Sequence, residues 1–244
     1  MRRFTLEPER LASGRVTFDA EESRHLTRVL RLRPGDTVVA TDGAGRDYTV
    51  RLESVGAAAT GTVLAEAAGV PASPLAVTLV QGVPKGDKME AIVRAATELG
   101  VARVRPALCA RTIVRLEPAR WRDRTRRWQR VAREAAKQSG RAVIPDVEAP
   151  RPLAEWLAGG EPADLGLCLW EGAGEPLGRL LADVVAPRSA LVVVGPEGGL
   201  AQAEVEAARA GGLTVVGLGP RILRTETAGP AIVAILQSRF GDLG

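Results

Sequence analysis

Leu218-Gly219-Pro220-Arg221-Ile222-Leu223-Arg224-Thr225-Glu226-Thr227-Ala228 is the stretch on which the reading of this chain turns. An apolar run over 214–218 leads into it and an apolar helical pattern over 229–240 leaves it, so a densely polar loop sits between two buried elements. Two arginines and a glutamate in such a place need compensation, from one another or from a ligand. Thr225 or Thr227 is placed to cap the helix that follows. A second loop of the same kind lies upstream. The strand-like 191–194 runs into Gly195-Pro196-Glu197-Gly198-Gly199-Leu200, whose glycines either form a plain turn or let the backbone approach a flat ligand closely. In an open α/β sheet, ligands bind beyond the carboxyl ends of the strands, which is where both loops fall. Neither loop is a G-x-G-x-x-G or Walker A sequence, so a Rossmann dinucleotide or P-loop nucleotide site is unsupported.

Working outward, strand and helix patterns alternate from residue 75. Strands are predicted over 76–80, 101–106, 165–170, 191–194 and 214–218, and helices over 88–99, 118–139, 202–210 and 229–240. Asp87-Lys88-Met89-Glu90 reads as a capping box with Asp87 as N-cap, and Gly100 as the stop of that helix. This rhythm predicts an α/β domain with a mostly parallel sheet. The first 68 residues read differently. Short β-like runs at 16–18, 37–41, 48–52 and 61–64 are punctuated by Pro34-Gly35-Asp36 and Asp42-Gly43-Ala44-Gly45, with one helix over 23–32. That pattern suggests a small barrel. Residues 67–74, small and proline-bearing, read as a linker, so two domains are expected, 1–70 and 73–244.

Composition removes several classes. No apolar stretch of about 20 residues exists, and the first residues lack the apolar core of a signal peptide. Two distant cysteines, Cys109 and Cys168, and a single histidine, His25, exclude a disulfide framework and a Cys₄ or His-rich zinc site, and point to a reducing cytoplasm. No G-x-S-x-G is present for a hydrolase nucleophile. The net charge of +4 conceals a strong asymmetry: residues 103–141 hold 13 basic against 3 acidic side chains, leaving the remainder net acidic. Arg120, Arg122, Arg124, Arg126, Arg127, Arg130, Arg133, Lys137 and Arg141 follow one another on a helical pattern. Like charges four apart destabilise a helix by about 0.2–0.5 kcal/mol per pair, so this run is better explained as a polyanion-binding face than as a merely solvated one. Trp121 and Trp128, seven apart on one face, are expected to be core contacts.

Motifs along nearly the whole chain resemble the RsmE family of 16S rRNA uridine N3-methyltransferases, within the SPOUT superfamily. They are Arg24-His25 with Val29-Leu30-Arg31 and Gly35-Asp36; Asp42-Gly43 with Gly45; Lys85-Gly86-Asp87-Lys88-Met89; Ala96-Thr97-Glu98-Leu99-Gly100; Gln138 with Arg141 and Pro145; and the two loops quoted above. Cys109-Ala110-Arg111 stands where the family has Ser-Glu-Arg, with Arg111 retained. The resemblance implies a PUA-like β-barrel for RNA at 1–70, and at 73–244 an α/β SPOUT domain tied in a trefoil knot. It also implies a homodimer acting on the small ribosomal subunit with S-adenosyl-L-methionine as donor, while the cysteine and histidine counts lead us to expect a cytoplasmic protein with no metal.

By that resemblance the donor is gripped by Leu169, Trp170 and Glu171, by Gly195, Pro196, Glu197, Gly198, Gly199 and Leu200, and by Leu218, Gly219, Ile222, Leu223, Arg224, Thr225 and Thr227. Arg2, Arg3, Arg24, His25, Arg31, Lys85, Lys88, Arg111, Arg126, Arg130, Gln138 and Arg141 are the RNA-binding candidates. Deprotonating uridine N3 puts negative charge on the flanking O2 and O4, so the site needs a base, cations near the oxygens, or both. Arg221 or Arg224 suits the anion, Glu226 the base, and Glu197 the sulfonium or the substrate. A small-molecule α/β enzyme of another kind, such as a nucleotide-dependent transferase, is one rival reading, and two others stay open. One is a related knotted methyltransferase acting on another rRNA or tRNA site. The other is a non-catalytic RNA-binding ribosome-assembly protein.

Overall fold

The structure, a computed structural model, describes residues 2–159, 163–172 and 175–244. Strands β1 (Arg3–Thr5), β2 (Leu11–Ala12), β3 (Arg15–Thr17), β4 (Thr37–Thr41), β5 (Arg46–Ser54) and β6 (Thr60–Ala68) form one sheet in the order β1-β4-β5-β6-β3-β2. Alternation along β5 turns Tyr48, Val50 and Leu52 inward, where they meet Phe4, Phe18, Leu26, Val38 and Ala40. The predicted helix over 23–32 starts earlier, because Asp19 caps it: its Oδ1 accepts from Glu22 N at 2.7 Å. Helix α1 (Ala20–Arg24) then widens into a π-helical turn, His25–Val29, and Arg31 ends it with φ of +51°.

The chain divides into two units that are not contiguous in sequence: 1–72 with 133–144, and 73–132 with 145–244. Reading the sequence alone placed 133–144 in the second domain. The structure builds this segment into the first unit. Ile144 N donates to Gly43 O at 3.0 Å and Gly45 N to Ala142 O at 3.1 Å. Gly43 and Gly45 both take positive φ to make that turn. Lys137 joins the same unit. Its Nζ lies 2.8 Å from Glu22 Oε1 and 2.6 Å from Glu134 Oε1, with only 6% of the side chain exposed. The exposed arginine face therefore does not include Lys137.

In the second unit, β7 (Ala76–Gly82), α2 (Lys88–Glu98), β8 (Arg103–Leu108), α3 (Pro118–Ser139), β9 (Asp146–Val147), β10 (Arg151–Pro152), α4 (Leu153–Ala158), β11 (Leu165–Leu169), β12 (Glu175–Pro176), α5 (Leu177–Asp183), β13 (Ser189–Val194), α6 (Gln202–Ala210), β14 (Thr214–Gly217) and α7 (Thr225–Phe240) follow in order; the last part of α3 belongs to the first unit. The sheet runs β10-β8-β7-β13-β11-β14-β12, with β9 on β8, and its pairings are parallel. Both faces are covered. Ala190, Val192 and Val194 enter one apolar core and Leu191 and Val193 the other, so β13 reads as a continuous apolar run. Trp128 is 2% exposed, and Trp121 packs beside it with ring centroids 6.3 Å apart.

After β14 the chain doubles back past β11 and β13, and α7 packs on α2 and β7. Such a return is what the knotted arrangement requires. Two local expectations change. Asp87 precedes α2 with φ −97° and ψ 7°, outside the extended conformation of a usual N-cap, and makes no side-chain cap, while Glu90 turns to Arg127 Nε at 2.7 Å. Helix α7 starts at Thr225 rather than 229, and neither threonine caps it. Arg224 is the N-cap residue, and the Thr225 hydroxyl is engaged elsewhere.

Candidate active site

The loops after β11, β13 and β14 enclose a cavity of about 490 Å³, within the range of small-molecule sites. Its walls are residues 169–171, 195–200 and 217–226, closed by Lys88 and Ala228. Every residue expected to grip the donor lines it except Thr227, and so do Arg221, Arg224 and Glu226. The loop at 195–200 is fixed from three sides. Thr225 Oγ1 donates to Gly195 O at 2.7 Å, Arg111 Nη1 to Gly198 O at 2.8 Å, and Lys85 N to the Glu197 carboxylate at 3.2 Å. Glycine is required where backbones touch. A Cβ on Gly82 would fall 2.5 Å from Pro196 N, and Gly199 holds a φ of +72°, which favours glycine. At Gly217 and Gly219 a Cβ would meet nothing within 4 Å, so the backbone there borders open space.

The electrostatics are specific. Lys88 Nζ lies 3.1 Å from Glu197 Oε1 and 3.3 Å from Glu226 Oε2. The Glu226 carboxyl is held below its ordinary pKa by its own backbone N–H, and further by Lys88 and Arg224. Its Oε2 is buried without a hydrogen-bond partner, since Lys88 is close but poorly aligned. Arg221 and Arg224 are exposed, and among the described residues neither makes an ion pair within 4.0 Å. Ile222 between them is 84% exposed. Burial pushes the thiols of Cys109 and Cys168 up to about 12, which makes them poor nucleophiles. Among the described residues no cluster of His, Cys, Asp and Glu could hold a metal, and no helix is long and apolar enough to cross a membrane.

The candidates for RNA scatter over both units. In the first, Arg2 donates to Leu30 O at 3.2 Å, Arg3 pairs with Asp47 at 2.7 Å, and His25 meets Phe4 edge-on at 5.7 Å. Arg24, Arg31 and Gln138 are exposed, and Arg141 is half-buried. In the second, Arg126 and Arg130 are exposed on α3, with Arg126 3.6 Å from Asp123. Lys85 is exposed and its backbone serves Glu197; Arg111 is clamped on the cavity loop. Lys88 is set in the cavity wall. Sequence reasoning missed Lys88, Gly217 and Ala228 as cavity residues. For Lys88 the signal was available, since it follows the carboxyl end of β7 as the other loops follow theirs.

Two family profiles match the chain: one described as an RNA methyltransferase domain, over residues 71–237, and one described as an RNA methyltransferase PUA domain, over residues 18–57. The class defined by fold and site is thus an RNA methyltransferase with a SPOUT-type α/β domain and a PUA-like N-terminal domain. Ribosomal RNA small subunit methyltransferase E of Synechocystis is 36% identical over 239 residues, spanning 97% of this chain and 77% of that one. Its namesake in Bacillus subtilis is 33% identical over 218 residues, spanning 87% and 85%. The crystal structure of ribosomal RNA small subunit methyltransferase E from Neisseria gonorrhoeae bound to S-adenosyl methionine superimposes with a TM-score of 0.89 at 35% identity, covering 100% of both chains. The chain belongs to the ribosomal RNA small subunit methyltransferase E (RsmE) family.

Proposed function

We propose that this protein methylates N3 of a specific uridine of 16S rRNA in the small ribosomal subunit, using S-adenosyl-L-methionine, as a cytoplasmic homodimer. The observation that carries the reading is the pair of unpaired guanidinium groups, Arg221 and Arg224, beside a cavity formed by three strand-end loops. The residues fit the donor. Glycines 195, 198, 199, 217 and 219 leave backbone edges for a flat base, and Glu171 supplies an acceptor for hydroxyl or ammonium groups. When bound, the donor supplies an electrophilic methyl group and leaves as a neutral thioether, while N3 gains the methyl and gives up its proton.

The chain's own residues do the rest. Guanidinium groups remain charged at any working pH and fork toward oxygens, so Arg221 and Arg224 suit the negative charge that develops on uracil O2 and O4. That stabilisation makes the N3 proton easier to lose. Glu226, ionised and held below its ordinary range, is a weak acceptor for that proton, so anion stabilisation by the arginines carries more of the barrier than base catalysis. Ile222 offers an apolar surface for a base turned out of its stack. Exposed Ile235 on α7 and Leu243 provide apolar surface for a second copy.

The test uses small subunits lacking the modification, incubated with the full chain and S-adenosyl-L-methionine, then mapped by reverse-transcriptase stops. A new strong stop at a single 16S uridine is expected, because N3 methylation blocks pairing. A ribose-type weak stop, or a stop in another RNA, would instead mark a related methyltransferase of different target. No heat on titrating the donor would mark a non-catalytic RNA-binding protein.

A further inference from the structure

Three side chains in the cavity wall form a cluster for which neither donor binding nor anion stabilisation accounts. Lys88, the first residue of α2, approaches both Glu197 at 3.1 Å and Glu226 at 3.3 Å. The three come from segments distant in sequence, after β7, after β13 and at the start of α7. Glu197 has a second tether, accepting from Lys85 N–H at 3.2 Å. The Lys88 side chain is 30% exposed and those of both glutamates 24%, so the cluster is partly withdrawn from water. A compact ammonium suits a position between two carboxylates better than a planar fork does.

Two free cations, Arg221 and Arg224, line the same cavity. The charge of Arg224 already reaches Glu226. Opposite charges at such range attract strongly in a partly desolvated site, so an unclaimed carboxylate there would draw a guanidinium onto itself. We infer that Lys88 is a positioning residue for methyl transfer: by tying Glu197 and Glu226 to the start of α2, it keeps Arg221 and Arg224 free to meet the uracil oxygens. This inference rests on the function proposed above and deepens it. In this role Lys88 acts through the groups it restrains.

The experiment compares Lys88→Met, Lys88→Arg and Lys88→Met/Glu197→Gln in the full chain. With small subunits and donor, Lys88→Met should lower kcat by about 10²-fold, the scale of a misplaced catalytic group, while KM for the donor stays near the wild-type value. Lys88→Arg should recover part of the loss. Removing a released carboxylate in the double variant should recover part of it as well, which a merely structural role for Lys88 would not allow. A second measurement needs no activity. Labelling of Arg221 and Arg224 by a dicarbonyl reagent, mapped by peptide mass, should fall severalfold in Lys88→Met and return in the double variant. Unchanged labelling in Lys88→Met overturns the inference, as does a kcat that stays at the wild-type value. If the wild-type chain gives no stop at a 16S uridine, the proposed function has failed, and the labelling result still decides the role of Lys88.

Discussion

Gln81 and Thr225 are 144 positions apart in sequence, and Gln81 Nε2 donates to Thr225 Oγ1 at 2.8 Å. The hydroxyl passes the interaction on, donating to Gly195 O at 2.7 Å. One chain of hydrogen bonds thus joins β7, the first turn of α7 and the loop after β13, where the chain has doubled back. Thr225→Val should leave the buried Gln81 amide and the Gly195 carbonyl without this partner. The expected cost is about 1–3 kcal/mol in denaturant unfolding, with weaker donor binding by calorimetry. Thr225→Ser, which keeps the hydroxyl, should cost clearly less.

Gly229 faces the same amide. A Cβ there would fall 2.7 Å from Gln81 Oε1 and 3.5 Å from Ile92 Cγ2. Alanine normally stabilises a helix relative to glycine. Gly229→Ala should nonetheless lower stability, by about 1–3 kcal/mol, because the interior cannot yield. A rise in thermal midpoint would show that the amide moves freely.

The Lys137–Glu22 pair anchors the end of α3 in the first unit. Glu22 Oε1 accepts from Lys137 Nζ at 2.8 Å and Thr5 Oγ1 at 2.6 Å, while Oε2 is buried without a partner. Lys137→Met should cost about 3–5 kcal/mol by stranding that carboxylate, and Lys137→Met/Glu22→Gln should cost less than the single change. Burial opposes the lysine's charge, but hydrogen bonds to Glu134 and Glu22 outweigh it and raise its pKa above 10.5. Its contribution is therefore complete below about pH 10.5 and fades as pH climbs through the raised value. Alkaline unfolding should begin at lower pH in a Glu134→Gln variant, which removes one source of that rise.

The Glu226 shift runs the other way. With its folded pKa depressed, the ionised carboxylate stabilises the folded state above its ordinary pKa, and that stability is lost as pH falls through the depressed value. Wild type and Glu226→Gln should differ in unfolding free energy at neutral pH and converge in acid. Since the carboxylate is a poor base, Glu226→Gln should reduce methylation less than loss of the arginine charge does.

Arg224→Ala should lower kcat by about 10²–10³-fold, the scale of one lost oxyanion donor, a larger loss than any it causes in donor affinity. Arg224→Lys should not restore the rate, because a point charge cannot fork toward two oxygens. Single-turnover assays at saturating donor would separate this loss from one of binding.

Much of this architecture is legible in the sequence where one physical signal dominates. Strand β4 at 37–41 and helices at 118–139 and 202–210 fall where periodicity puts them. The cavity loops follow from glycines and polar residues at the ends of apolar runs. Legibility fails where tertiary partners decide. Asp87-Lys88-Met89-Glu90 has the spelling of a capping box, but Arg127 claims Glu90. Thr225 has the identity of a cap, but Gly195 lies within reach of its hydroxyl. Lys88 reads as one more base for RNA until the fold brings Glu197 and Glu226 to it. The arginine run on α3 looks unrelieved in one dimension, yet Arg127 finds Glu90 at 2.7 Å. In each case the deciding partner is distant in sequence.

The placement of 133–144 in the first unit bears on how the molecule can be dissected. Cutting the chain near residue 72 would not release an intact methyltransferase half. It would leave Ala142 without the partners Gly45 and Thr41 that lie on its carbonyl, and a buried lysine shorn of Glu22. A severed C-terminal fragment should therefore be sticky and poorly soluble even with its donor cavity fully encoded. The two modules are separable on paper but not with a single pair of scissors, so any transplant of one onto another protein has to carry the 133–144 segment with the N-terminal part.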